Sequence, residues 1–325
     1  LGMGGNLTGN SWLMEHLVHG YEGGWFTQNP NHNEDASIGN NVTSRFMNYY
    51  IEGQKWMFEK LNVGGLYYDG FAAERRVQRR VRRMSESVKH NVDKMTDESQ
   101  IIRYDVHGRA FQNTELLPYI DNMWTCEGID FTQGPAYWLI SISALPFGTF
   151  GEMLGADDAP PVPGHFCGES CANKWRGMLF GMSNRAGWVG QDPNNNAELW
   201  NVWDTFEIEK ADMWGWWNAS SPIQVIQDNN NDKNSGVFVT SYVRVGNQTL
   251  VAVATWTNGT DTNVTLKIDW NALGLSNIAG KVTAPGLSSF NGINETKYFP
   301  SKKGDTSQVP LEVKAYKGWL LMLSD

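Results

Sequence analysis

Four acidic side chains stand at or near the ends of short apolar runs. Asp69 ends GLYYDG, Glu127 follows NMWTC, Asp105 closes IIRYDVHG together with His107, and Glu152 lies in PFGTFGEML. Two carboxyl groups facing one cleft can cleave an acetal: one protonates the leaving oxygen, while the other attacks the carbon or activates a water. Asp69 is expected as one member of such a pair, because its neighbouring glycines let the chain approach a ligand closely. Glu127 is expected as the other, because apolar walls near Trp124 raise a carboxyl pKa, as a proton donor requires. Asp105, His107 and Glu152 are expected as substrate contacts, with Trp124, Trp138 and Trp188 as flat platforms for sugar rings. The alternative for each acid is a structural pairing with an arginine such as Arg103, Arg109, Arg176 or Arg185. For each Trp the alternative is core filling.

These groups need a scaffold of strands. GGLYYDG (64–70), IIRYDVHG (101–108), YIDNMWTCEG (119–128), YWLISISALPFG (137–148) and RGMLFGMSNRAGW (176–188) read as strands of a parallel sheet. Helical segments are expected between them, at 44–61, 73–90 and partly 200–217. Strands alternating with helices imply βα units, whose active face is the carboxyl end of the strands. Residues 1–45 read as a long ordered loop. The helix at 73–90 carries Arg75, Arg76, Arg79, Arg80, Arg82 and Arg83, a basic stripe expected to be a solvated outer face.

After a polar linker, DNNNDKNSG (228–236), the pattern changes. VFVTSYVRV, TLVAVATWTN, NVTLKIDW and GWLLMLS are β-rich and separated by turns, as in an antiparallel β-sandwich over 237–325. The fold class is therefore α/β: a (β/α)8-type (TIM) barrel portion over 1–227, then the sandwich. Five barrel strands rather than eight lead to the expectation that an N-terminal portion or a partner chain completes the barrel. Asp228, Asn230, Asp232 and Asn234 alternate like the start of a calcium loop. Lys233 stands at the sixth position and no Glu at the twelfth, so a linker is preferred and no cofactor is expected.

The chain has 325 residues, a net charge of −9, and 26 basic against 35 acidic side chains, a balance that argues against nucleic acid as the main partner. It holds no apolar run long enough to span a bilayer. Nor does it hold a G-x-S-x-G, Walker, H-E-x-x-H or strand-linked G-x-G-x-x-G motif. Asn-x-Ser/Thr occurs at Asn6, Asn41, Asn218, Asn247, Asn258, Asn263 and Asn294, four of the seven in the last quarter of the chain. That density implies N-glycosylation and a eukaryotic secretory route to the outside or the cell surface. Cys167 and Cys171 read as a small disulfide loop in such a compartment, leaving Cys126 as a thiol.

GGLYYDGFAAERRVQRRVRRM, ELLPYIDNMWTCEGIDF, LISISALPFGTFGEML, RGMLFGMSNRAGW and LKIDWNALGL occur in this order. With these motifs the sequence resembles the glycoside hydrolase 123-like catalytic domain family, from about residue 25 to residue 285. The resemblance implies a (β/α)8 barrel flanked by β-sandwich domains. It also implies a β-N-acetylhexosaminidase-like activity, in which an Asp-Glu pair at a strand end assists attack by the sugar's own N-acetyl group. This sequence departs from that pattern. Its only Asp-Glu is Asp97-Glu98 in KMTDESQ, and Asp69 is followed by Gly70. Two functions follow. One is a secreted exo-glycosidase working through Asp69 and Glu127. The other is a non-catalytic glycan-binding or assembly glycoprotein that keeps the fold.

Overall fold

The computed structural model describes residues 26–28, 34–36, 45–68, 75–88, 101–108, 114–125, 129–153, 174–184, 196–226, 236–256, 259–276, 280–287, 290–291, 297–299 and 308–325. The chain divides into two compact units, Leu1–Met123 and Trp124–Asp325.

In the first unit, β1 (Phe26–Gln28) and β2 (Glu34–Ala36) form an antiparallel pair within the stretch expected to be loop. Helix α1 (Arg45–Leu61) precedes β3 (Gly65–Tyr68), and helix α2 (Arg75–Ser87) precedes β4 (Arg103–His107). Strands β3 and β4 are parallel, with Leu66 opposite Tyr104 and Tyr67 opposite Asp105. A Cβ on Gly65 would lie 2.7 Å from the Arg103 carbonyl oxygen, so this close pairing requires glycine.

Both helices show the apolar stripe of an amphipathic helix. Met47, Ile51 and Phe58 of α1, and Val77, Val81 and Met84 of α2, bury into one cluster with Ile102 and Tyr104. Full burial of Phe58 alone contributes about 1.5–3 kcal/mol. Tyr68 stacks on Tyr104 at 5.7 Å, and its hydroxyl donates to Gln54 Oε1 at 2.9 Å.

The arginines of α2 are not all solvated. Arg82 donates through Nη2 to Asp121 Oδ2 at 2.7 Å, through Nε to the Tyr119 carbonyl at 2.6 Å, and through Nη1 to the Ile102 carbonyl at 3.3 Å. Asp121 Oδ2 also accepts the Tyr104 N–H at 2.8 Å.

Strand β5 (Asn122–Thr125) runs across the division between the units. In the second unit, β6 (Phe150–Met153) and β7 (Ser183–Asn184) are parallel, with Glu152 opposite Ser183. Two expected strands are instead mainly helical. Residues 137–148 hold a turn at Pro135–Tyr137, a wide π-type turn at Trp138–Ile142 and a 3-10 turn at Leu145–Phe147. YWLISIS is almost wholly apolar, so periodicity cannot separate buried helix from buried strand. Gly134-Pro135 carries the start signal, since proline suits the first turn of a helix. Likewise 176–188 begins inside the helical turns Lys174–Gly177 and Met178–Phe180, and only Ser183–Asn184 is extended.

After helix α3 (Asn196–Phe206) come β8 (Asp212–Trp214), β9 (Ile223–Ile226), β10 (Val237–Arg244), β11 (Gln248–Thr255) and β12 (Thr262–Ile268). These are followed by β13 (Lys281–Ala284), β14 (Lys297–Phe299), β15 (Gln308–Val313) and β16 (Gly318–Ser324). They form two antiparallel sheets, ordered β14-β13-β16-β11-β10-β8 and β15-β12-β9. Of the expected linker 228–236, only Gly236 lies within the described residues. Strands from before it join the sheets formed after it: β8 pairs with β10, and β9 with β12.

The larger sheet is buried on both faces. Val251 and Val253 of β11 face a core shared with Leu266 of β12 and Val309 and Leu311 of β15. Leu250, Ala252 and Ala254 face a second core built from Trp138, Trp175, Phe180 and Phe206. Cover on both sides is why TLVAVAT shows no polar alternation. Strand β15 alternates exposed and buried residues, and its Pro310 sits on an edge strand, where a missing N–H is tolerated.

Candidate active site

Alternation sorts the side chains of β3 and β4 into two faces. Tyr104 and Val106 are buried on the helix side, and Leu66 and Tyr68 pack against the same cluster as Tyr104. The opposite face therefore carries Tyr67, Arg103, Asp105 and His107. Tyr67 is exposed and stands in register with Asp105, on a parallel neighbour about 4.8 Å away. Asp105 and His107 are half-buried, and Asp105 Oδ1 is shielded from solvent. Two residues along a strand span about 6.6 Å, so the carboxyl and the imidazole sit on one face within reach of one sugar ring.

His107 closes β4, at the end that builds ligand sites in βα folds, and Asp105 is the strand's middle residue on the same face. At the amino end, Asp121 is tied to the backbone of Tyr104: its N–H donates to the Tyr104 carbonyl at 2.9 Å, and Arg103 Nη1 lies 3.5 Å from its Oδ1. The two ends are chemically distinct. One holds an imidazole, with a carboxyl and a phenol next along the common face, and the other holds a structural ion pair.

Asp69, which follows Tyr68 in the chain, lies outside the described residues. So do Glu127, Trp188, Cys126, Cys167, Cys171, Asn6, Asn41, Asn258, Asn294 and the stretch Asp228, Asn230, Asp232, Asn234. Glu152 is a residue of β6. Trp124 is 8% exposed. Trp138 is 0% exposed: its indole N–H donates to the Phe131 carbonyl, and Phe180 stacks on it at 5.7 Å, which leaves no ring face for a sugar. Asn218, Asn247 and Asn263 are exposed, Asn218 in a turn where its side chain accepts the Ser220 N–H.

Tyr67 was not among the expected residues. The signal for it is the alternation of GLYY: Leu66 and Tyr68 form one face, which leaves Tyr67 to the other. Arg176 is a second addition. It is 2% exposed, donates to the Thr255 carbonyl, and lies over Trp256 at 4.3 Å and Trp175 at 5.0 Å. Burial lowers its pKa to about 9. It makes no ion pair with an acid among the described residues, so it is not the structural partner that the acids were expected to have.

Parallel strands β3 and β4, with His107 closing β4, precede the antiparallel sheets in the chain. In fold the chain is similar to an α-amylase from Anoxybacillus, with TM-score 0.50 at 11% identity, covering 86% of this chain and 62% of that one. A match to a glycoside hydrolase family 27 β-L-arabinopyranosidase from Geobacillus stearothermophilus has TM-score 0.49 at 9% identity, covering 89% of this chain and 64% of that one. The chain thus spans less than two thirds of the length of either. No curated protein matches it. The chain belongs to glycoside hydrolase family 123: the TIM-barrel domain of that family matches residues 2–187 and its C-terminal domain residues 195–324.

Proposed function

We propose that this chain is the glycosidase portion of a secreted family 123 enzyme, an exo-glycosidase of β-N-acetylhexosaminidase type. The observation that carries the reading is the register of β3 and β4. Tyr67 and Asp105 are neighbours on one face, with His107 two residues further along β4, and Asp69 follows β3 in the sequence. Asp69 and Glu127 act as the carboxyl pair. Asp105 and His107 hold sugar hydroxyls, and the exposed Tyr67 ring supplies an apolar wall. In this reading Trp138 belongs to the core.

The exposed Asn218, Asn247 and Asn263 support N-glycosylation on a secretory route. No helix among the described residues is long and apolar enough to cross a membrane.

The test is a panel of aryl glycosides, including aryl β-N-acetylhexosaminides, assayed with the wild-type chain and Asp69→Asn. Loss of an essential acid–base group costs about 10²–10⁴ in rate. Turnover by Asp69→Asn at the wild-type rate removes Asp69 from the mechanism. Absence of turnover on every aryl glycoside, with retained glycan binding, favours the non-catalytic function instead.

A further inference from the structure

Helix α2 is RRVQRRVRRMSES: six arginines and one glutamate, a net charge of +5 within 13 residues of a chain whose total is −9. Its buried side holds Val77, Gln78, Val81, Met84 and Ser85, so the arginines share the remaining arc. Arginines three and four residues apart on one helix repel each other. Arg82 is engaged on Asp121, and Arg80 donates to Asn48 Oδ1 of α1 at 2.5 Å. Arg75, Arg79 and Arg83 are exposed and make no ion pair among the described residues. Arg79 and Arg83 also line an open pocket of about 340 Å³ with Glu86, Pro118, Tyr119 and the Arg82–Asp121 pair.

We infer that this face of α2 is an anchoring surface for a sulfated polysaccharide. The inference rests on the carbohydrate-active reading above for the class of polyanion, and on charge complementarity for the occupant. Arg75, Arg79 and Arg83 stand four residues apart on one face, one cation per about 6 Å of axis, a row that can follow anionic groups along a sugar chain. Arginine's planar fork pairs two N–H groups with two oxygens of one anionic group. The pocket beside Tyr119 takes one sulfate between Arg79 and Arg83, while the sugar backbone runs along the helix. Tyr119 and Asp121 approach β4 near its amino end, so the anchor is separate from Asp105 and His107. It holds a polymer without occupying the cleft.

The experiment measures binding of the full chain to heparin by calorimetry at low and at physiological salt. The wild-type chain is expected to bind saturably, and more weakly as salt rises. Arg79→Gln/Arg83→Gln is expected to bind at least tenfold more weakly, with an unchanged melting temperature and unchanged hydrolysis of any aryl glycoside that the wild type cleaves. Lys267→Gln/Lys281→Gln removes the same charge from exposed positions of the second unit and is expected to bind as the wild type does. No saturable heparin binding, equal losses in the two double variants, or equally tight binding of double-stranded DNA would overturn the inference. Failure of the aryl glycoside assay alone bears on the proposed activity and leaves this binding result standing.

Discussion

Asp121 accepts both the Arg82 guanidinium and the Tyr104 N–H at the same carboxylate oxygen, at 2.7 Å and 2.8 Å. One acid thereby ties α2 to the start of β4. Both side chains are mostly buried, at 17% and 23% exposure, so the pair is shielded from water more than an ordinary surface bridge is. Arg82→Ala should cost about 2–3 kcal/mol, the scale of hydrogen bonds to charged groups, and Asp121→Asn a similar amount. Urea unfolding of both single variants and the double variant checks this. If the losses simply add, the coupling is absent.

In the middle of the same strand, Asp105→Asn should lower kcat/KM by about 10–100-fold, the range set by one charged hydrogen bond of about 1.5–3 kcal/mol. The midpoint of thermal unfolding should move little, because Asp105 is half-buried and lies on the face away from the helices. Tyr67→Ala should raise KM more than it lowers kcat, since a ring wall binds ground state and transition state alike. A fall in kcat alone for Tyr67→Ala would contradict that role.

Trp138→Ala should destabilise the second unit by about 3–5 kcal/mol, as expected for emptying a fully buried indole site. The ring also meets Trp256 edge-on at 5.7 Å. Loss of stability should precede any loss of activity on titration with denaturant. A stable Trp138→Ala protein with weakened sugar binding would restore Trp138 as a platform.

Alkaline pH provides a further test. Burial pushes the phenol of Tyr242 well above its ordinary value near 10, and it does the same to Tyr68. The unfolded chain therefore gives up these protons first as pH passes 10, while the folded chain keeps them. Their contribution is fully present below pH 10 and is lost as pH rises above it. Arg176 has the opposite sign. With its pKa lowered to about 9, it is costly as a buried cation below that pH and less so above. The hydroxyl of Tyr242 donates to the Met178 carbonyl, so Tyr242→Phe should lose about 1–2 kcal/mol at pH 7. Its stability should then decline less steeply between pH 10 and 11 than that of the wild type. Chemical unfolding across that range reads both effects.

Much of this architecture was legible in the sequence. The stripes of α1 and α2, the strands β3, β4, β5, β10, β11, β12 and β16, and the placing of Asp105 and His107 on one strand all follow from local pattern. Short edge elements such as β8, β9 and β14 were not legible, because three or four residues carry too little pattern. The helical turns around Trp138 were misread because a uniformly apolar run has no period to report. The face taken by Tyr67 was legible in principle, from the alternation of GLYY, once Leu66 and Tyr68 are assigned to the core.

By itself, the sequence determined which segments have an apolar side, where charge concentrates, and which acids end apolar runs. These depend only on neighbours along one helix or strand. Tertiary structure alone decided that β11 is covered on both faces, that Trp138 is enclosed, that Arg82 and no other arginine of its helix turns to Asp121, and that Tyr67 stands beside Asp105. Each of these outcomes depends on what a distant segment places against the element. Periodicity within one segment carries no record of that partner.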